Sequence, residues 1–227
     1  MKRKLGQLFC LGLLAALPVS AGQMLINEIF YQSPTQNDHE EWIELFNSGT
    51  NAVNLSGWRF SQGVDFTFPN VTIAAGGYLV VASDLGTFTN LHPTVTNVVG
   101  GWTGTLKNSG ETVQLDDNSG QKQSEVTYAD NGDWGVRTRG LVDNNHRGWE
   151  WVADHSGLGK SLELINPNLP NQHGQNWAAS VPVGGTPGAA NSVLSTSTGP
   201  LILETTHFPV IPRSTNTVTV TRGCWTS

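Results

Sequence analysis

Residues 41–49 read EWIELFNSG, a clear example of a β-strand that ends in a turn. Its apolar residues alternate closely enough for Ile43 and Leu45 to be buried on one face of an extended strand. The strand stops at the Asn-Ser-Gly sequence of residues 47–49, which is typical of a turn. A short strand closed by a turn is the building unit of antiparallel β-proteins.

The same pattern of strand and turn recurs on both sides of this stretch. Strands are predicted at residues 24–30, 66–68, 111–115, 124–128 and 161–165. Residues 53–58 turn into residues 59–60, and within residues 73–81 a turn leads into a strongly apolar strand. No segment of ordinary helix length carries the apolar stripe at i, i+3, i+4 and i+7 that an amphipathic helix needs. We therefore predict an all-β chain folded as an antiparallel β-sandwich, with Trp58 in its core.

The composition sets limits on the function. The chain has 227 residues, and its 12 basic and 18 acidic residues give a formal charge of −6. A hydrophobic content of 37% with eight Trp is too high for a disordered chain and too low for a membrane protein. Because an acidic surface repels phosphate backbones, nucleic acid is not expected as a partner.

The N-terminus has the pattern of a secretory signal peptide over residues 1–21. Residues 2–4 are basic, residues 8–17 are apolar, and Val19-Ser20-Ala21 supplies small residues before a cleavage site. We expect an exported protein that is extracellular, on the cell surface or periplasmic, with no membrane span after cleavage. Cleavage removes Cys10 and leaves Cys224, so an intramolecular disulfide is excluded.

The domain organisation follows from changes in composition. Residues 22–192 are predicted to form the β-sandwich domain, and residues 193–199 a linker rich in Ser and Thr. Residues 200–204 and 216–221 look like the first two strands of another β domain, but two strands cannot bury a core alone. We interpret residues 200–227 as the truncated start of a second, Ig-like domain, and the chain as an N-terminal fragment of a larger multidomain protein.

A Trp-rich segment at residues 130–160 interrupts the regular spacing of the strands. Trp134, Trp149 and Trp151 lie there among Gly, Asp, Asn and Arg. In one interpretation the segment is a loop that folds back and caps the end of the sandwich. In the other, the three indoles form a ligand-binding platform, since exposed indoles stack on sugar rings or cations.

An acidic cluster gives a second candidate site. Asp38, Glu40 and Glu41 are close in sequence, with Glu44 next along the chain and Glu28 on a neighbouring strand. Oxygen ligands at this density could hold Ca²⁺, and no other cofactor is expected. The alternative is that these carboxylates belong to the framework of the fold or to a solvated face.

No catalytic motif is present in the sequence. It has no Gly-x-Ser-x-Gly elbow, and its six His form no metal-binding pair. Residues 154–161 end like a phosphate loop, but Asp154 replaces the first Gly and a predicted strand follows where a helix is required. We therefore predict that the chain is not an enzyme, although an accessory domain of a secreted hydrolase remains an alternative.

An ordered series of motifs resembles the bacterial lamin-tail domain across residues 24–191. The motifs are INEI at 26–29, EWIELFN at 41–47, LSGW at 55–58, FTFP at 66–69, AGGYLVV at 75–81, LKNSGETV at 106–113, SLEL at 161–164, NW at 176–177 and GTPG at 185–188. The resemblance implies an Ig-like sandwich in which Glu28, Glu41 and Glu44 belong to the framework. The Trp-rich insertion at residues 130–160 departs from the family pattern.

The resemblance also implies a kind of function. Bacterial members of the family are similar exported modules that do not share one catalytic set. We therefore expect a non-catalytic structural or interaction module with a protein or polysaccharide partner at the cell surface. The more specific alternative is a module that binds carbohydrate or calcium.

Overall fold

The computed structural model describes residues 24–225, and the predicted signal peptide lies outside the described residues. The strands in chain order are β1 (Met24–Phe30), β2 (Trp42–Asn47), β3 (Val53–Asn54), β4 (Arg59–Gln62), β5 (Phe66–Thr67), β6 (Thr72–Ile73), β7 (Tyr78–Ala82), β8 (Val98–Gly100), β9 (Thr112–Asp116), β10 (Lys122–Thr127), β11 (Val136–Asp143), β12 (His146–Val152), β13 (Leu162–Leu164), β14 (Trp177–Ala179), β15 (Leu201–Phe208) and β16 (Thr219–Trp225). Helix α1 spans Leu85–Leu91, and short 3-10 helices span Asp38–Glu40, Gly132–Trp134 and Gly174–Asn176. The predicted all-β class is confirmed.

Two sheets form the sandwich. The first has the order β14-β13-β1-β2-β7-β8, in which only the pairing of β7 with β8 is parallel. The second has the order β10-β9-β4-β5. Strand β1 is therefore central in the first sheet and pairs on one side with β13, which comes more than 130 residues later in the chain.

The main core fills the space between the two sheets. The first sheet contributes Ile43 and Leu45, as the alternation predicts, and both are fully buried. Trp58 was expected in this core, but it is only partly buried and packs against the core edge. The fully buried positions around it are Leu55 and Phe60. This part of the sequence turns between β3 and β4, so the indole lies where the chain leaves the core.

A second, smaller core lies on the outer face of the first sheet. Asp84 caps the N-terminus of helix α1, because its side chain accepts a hydrogen bond from the backbone N–H of Thr87 at 2.7 Å. The helix places Phe88 over the sheet. Phe88 packs there on Trp42, which is also stacked on Phe30 with ring centroids 5.8 Å apart. Antiparallel sheets commonly leave one face in water. Here both faces are covered, which explains why every residue of β1 is buried.

The Trp-rich segment contains a β-hairpin, so its interpretation as a loop is wrong. Strands β11 and β12 pair in antiparallel register, and the turn between them has Asn144 and Asn145 at φ of 46° and 65°. Two successive positive φ angles define the type I′ turn that fits the twist of a hairpin, and Asn tolerates this conformation. Within this segment, Val136 and Thr138 are β-branched residues two positions apart, and Trp149 and Trp151 are aromatic residues two positions apart, as is typical of strands. None of the strands predicted from the sequence falls within residues 166–192, which contain the short strand β14.

The last part of the described chain is a second hairpin, formed by β15 and β16. It is joined to the sandwich by Gln175, whose side chain bonds both the N–H and the carbonyl of Ile202 at 2.9 Å. The predicted boundaries at 192 and 199, and the truncated second domain, stay predictions. Among the residues that the structure describes, no helix has the length and apolar character needed to cross a membrane.

Candidate functional site

Three buried carboxylates lie side by side on the outer face of the first sheet. Glu28 is the register partner of Glu163 on one neighbouring strand and of Glu44 on the other. All three side chains are fully buried beneath residues 180–193, which cross the sheet as a segment without regular structure. We call residues 180–193 the strap. Glu28 and Glu44, for which the family resemblance implied a role in the framework of the fold, are thus buried between the first sheet and the strap.

Each carboxylate holds the strap by hydrogen bonds. Glu28 accepts from the N–H of Thr186 at 2.8 Å, and Glu44 accepts from the N–H of Gly188 at 2.5 Å. Glu163 accepts from the N–H of Val193 at 3.1 Å. The oxygens of the buried carboxyl groups are thereby paired with donors from the strap, as buried polar groups usually are. These side chains therefore serve the fold rather than an open site.

The same network places one hydroxyl group between two carboxyl groups, an arrangement that favours a proton on one of them. The Thr186 hydroxyl oxygen lies 3.2 Å from Glu28 Oε2 and 2.8 Å from Glu163 Oε1, yet it has only one proton to donate. A protonated carboxyl group completes the second bond. Burial, followed by the charge of Glu44, raises the pKa of Glu28 well above its usual range, and burial raises the pKa of Glu44 to about 8.

Replacing Gly185 by alanine is expected to destabilise the chain by about 2–3 kcal/mol. Gly185 has a φ of +74°, and an added Cβ would collide with Glu28 Oε1 and approach Ser161 Oγ to 2.7 Å. Gly76→Ala is the matched control, because Gly76 has a φ of +69° but open space around its Cβ position. Urea unfolding of both variants measures the difference. Equal losses would mean that an added Cβ at Gly185 meets no resistance from Glu28 and Ser161, and would contradict the close packing of the strap on these side chains.

The predicted calcium ligands Asp38, Glu40 and Glu41 point to different places. Glu41 is buried, accepts from the backbone N–H of Leu106 at 2.9 Å, and has its pKa raised to about 8 by burial. Glu40 instead accepts from the Thr35 hydroxyl at 2.9 Å, and Asp38 is exposed. Within residues 24–225, no group of three or more His, Cys, Asp or Glu side chains could hold a metal ion.

The structure separates the three predicted platform indoles. Trp134 is partly buried and packs on Trp177, with ring centroids 6.0 Å apart. Its carbonyl oxygen lies 2.8 Å from His155 Nε2, and His155 Nδ1 lies 2.8 Å from the Tyr31 hydroxyl. Trp134 therefore caps the sandwich, whereas Trp149 and Trp151 are 50% and 47% exposed on the hairpin.

The hairpin has two different faces. The register pairs Arg137 with Trp151 and Arg139 with Trp149, so these four side chains share one face, which we call the Arg–Trp face. The opposite face turns toward the sandwich and, with edge strand β14, borders a cleft of about 250 Å³. The Arg–Trp face is thus the side of the hairpin directed away from the body of the protein.

Both guanidinium groups on this face lie over one indole. The Cζ atoms of Arg137 and Arg139 are 4.3 Å and 4.0 Å from the centroid of the Trp149 ring. Such cation–π contacts contribute about 0.5–1 kcal/mol each at exposed sites and favour this arrangement of the side chains. The two arginines were missed in the sequence, although their spacing of two residues, matched by that of the two indoles, was a readable signal.

Comparison with known protein families gives a match in the first part of the chain. Residues 18–130 match the lamin tail domain, which is a non-catalytic, Ig-like domain family. The matched region ends just before the Trp-rich hairpin. No curated protein matches the chain.

Proposed function

We propose that the chain is a non-catalytic interaction module of an exported or cell-surface bacterial protein. The proposal starts from the match of residues 18–130 to the lamin tail domain. The matched family is non-catalytic, and the buried carboxylates of this chain are engaged in holding the strap. The predicted signal peptide supports export. The β15–β16 hairpin supports a larger multidomain context, because it exposes apolar side chains such as Phe208 that a two-stranded sheet cannot cover.

The observation that carries a binding role is the exposure of Trp149 and Trp151 on the Arg–Trp face. Large aromatic side chains are normally covered in a folded protein, and an exposed pair on one face marks an interaction site. An indole offers a flat apolar surface that fits the apolar face of a sugar ring. Arg137 and Arg139 lie over the Trp149 ring, so the exposed Trp151 indole supplies the stacking surface beside them. A polysaccharide at the cell surface is therefore the partner that we propose.

Replacing both Trp149 and Trp151 by alanine is expected to lower the affinity for a bound saccharide by about tenfold per indole. The full chain is titrated with oligosaccharides of glucose, of galacturonic acid and of heparin, with Trp fluorescence and calorimetry as readouts. Trp225→Ala is the matched control, because it removes an indole of similar exposure from the other hairpin. A chain that binds none of these saccharides, or that loses as much affinity from Trp225→Ala, would contradict the proposal.

A further inference from the structure

We infer that the Arg–Trp face binds an acidic polysaccharide whose sugars bear carboxylates, that is, a polymer of uronic acids. This inference rests on the proposed saccharide-binding function and names the class of its ligand. It depends on the two arginines of the face, which a neutral sugar polymer would not need.

The hairpin is a basic site in an acidic chain. Three of the seven arginines, Arg137, Arg139 and Arg147, lie within residues 136–152, whereas the chain as a whole has a charge of −6. Of the two acidic residues in the hairpin, Asp143 lies beside the turn. Glu150 pairs with Thr138 and therefore faces the opposite side. The Arg–Trp face itself carries no acidic residue, so its local charge favours an anion.

The donors of both arginines remain available to a ligand. Within the described part of the chain, neither the Arg137 nor the Arg139 side chain forms an ion pair or a hydrogen bond, and the ion pairs all involve lysines. A guanidinium that lies over an indole keeps its N–H donors along its edge. Those edges match a carboxylate, which accepts two parallel N–H···O bonds from one guanidinium.

The number of basic side chains on the face suits a polymer of low charge density. Arg137 and Arg139 both lie over the Trp149 ring, so the face presents two guanidinium groups together beside its two indoles. A nucleic acid carries a charge about every 1.7 Å of its axis and is normally bound through many basic contacts. Two guanidinium groups on an acidic protein do not provide such a surface, and they suit a polymer of lower charge density.

The test compares two ligands that differ only in charge. The full chain is titrated with an oligogalacturonate and with its methyl ester, which keeps the sugar rings but has no carboxylate. We expect the methyl ester to bind at least about tenfold more weakly than the acid. We also expect the affinity for the acid to fall as NaCl is raised. This comparison needs no variant and is independent of any effect of mutation on folding.

Variants then assign the effect to the arginines. Arg137→Gln with Arg139→Gln should weaken oligogalacturonate binding by about tenfold per arginine. Arg137→Lys with Arg139→Lys should give an intermediate loss, because lysine keeps the charge but lacks the planar fork. The matched control is Arg59→Gln with Arg213→Gln, which removes two exposed positive charges outside the hairpin. Circular dichroism and thermal melting confirm that each variant is folded.

The outcomes separate the two proposals. Equal, indole-dependent binding of the acid and its methyl ester would overturn the acidic class and leave saccharide binding in place. Two other results would also overturn the uronate assignment. One is arginine-dependent binding of heparin but not of oligogalacturonate. The other is arginine-dependent binding of a single-stranded oligonucleotide in preference to every saccharide. Failure to bind any saccharide would remove the proposed saccharide function itself.

Discussion

Replacing Trp42 by alanine is expected to destabilise the chain by about 3–5 kcal/mol, a large part of the stability of an ordinary domain. Trp42 is fully buried on the outer face of the first sheet, where Phe30 and Phe88 pack on its ring. Alanine would leave a cavity beneath helix α1 that the surrounding strands cannot fill. Equilibrium unfolding in urea at pH 6.5 measures the loss.

Two further substitutions sharpen this prediction. Trp58→Ala should cost only about 1–2 kcal/mol, because Trp58 is partly exposed at the edge of the main core. Trp42→Phe should cost less than Trp42→Ala, since it keeps an aromatic ring and removes an indole N–H that has no hydrogen-bond partner among the described residues. A loss from Trp58→Ala that equals or exceeds the loss from Trp42→Ala would contradict this description of the two cores.

Raising the pH from 6.5 to 8 is expected to lower the free energy of unfolding by about 2 kcal/mol or more. Burial raises the pKa of Glu28, and raises the pKa of both Glu41 and Glu44 to about 8, from a usual value near 4.5. These groups keep their protons in the folded chain after the unfolded chain has lost them. Stability therefore falls by about 1.4 kcal/mol per pH unit for each such group.

The interval from pH 6.5 to 8 isolates the carboxyl groups. His92 and His155 have their pKa lowered by burial, so they lower stability only as the pH falls below about 6.5. Tyr31 and Tyr128 have their pKa raised above 10 and do not titrate in this interval. Urea unfolding at several pH values between these limits gives the slope directly.

Glu28→Gln tests the origin of the slope. Its amide nitrogen can donate permanently to the Thr186 hydroxyl, as a protonated Glu28 would, while its oxygen still accepts from the Thr186 N–H. The variant should therefore match the wild type at pH 6.5 and exceed its stability at pH 8, whereas Glu28→Ala should be destabilised at both values. A wild-type stability that is constant or rises over this interval would contradict the role assigned to the carboxyl proton.

Much of the fold could be predicted because its signals are local. Alternation within residues 41–47 is enough to place Ile43 and Leu45 in the core, since side chains of a strand alternate between two faces. The burial of Trp42 on the other face could not be predicted in this way. It depends on helix α1, whose seven residues are too few to show a helical stripe.

The candidate site was less predictable, because its residues meet through register. Glu28, Glu44 and Glu163 lie far apart in sequence and become neighbours only when β1, β2 and β13 pair. A β-bulge between Ile26 and Glu28 sets this alignment, and a shift of one residue would move the carboxylates to the opposite face. On the hairpin, the period-two pattern was local. Because the segment was predicted to be a loop, no strand register was expected there, and the arginines beside Trp149 were not identified.

The central position of β1 has a consequence for the synthesis of the chain and for its proposed export. Its partner β13 ends at Leu164, so one side of β1 has no strand to pair with until more than 130 further residues have been made. Long-range pairings of this kind slow folding, and an unpaired strand edge invites association with other chains. We expect nascent chains that stop before residue 162 to remain incompletely folded. A chain that folds this late stays extended for longer, which suits passage through a narrow export channel before the sandwich closes.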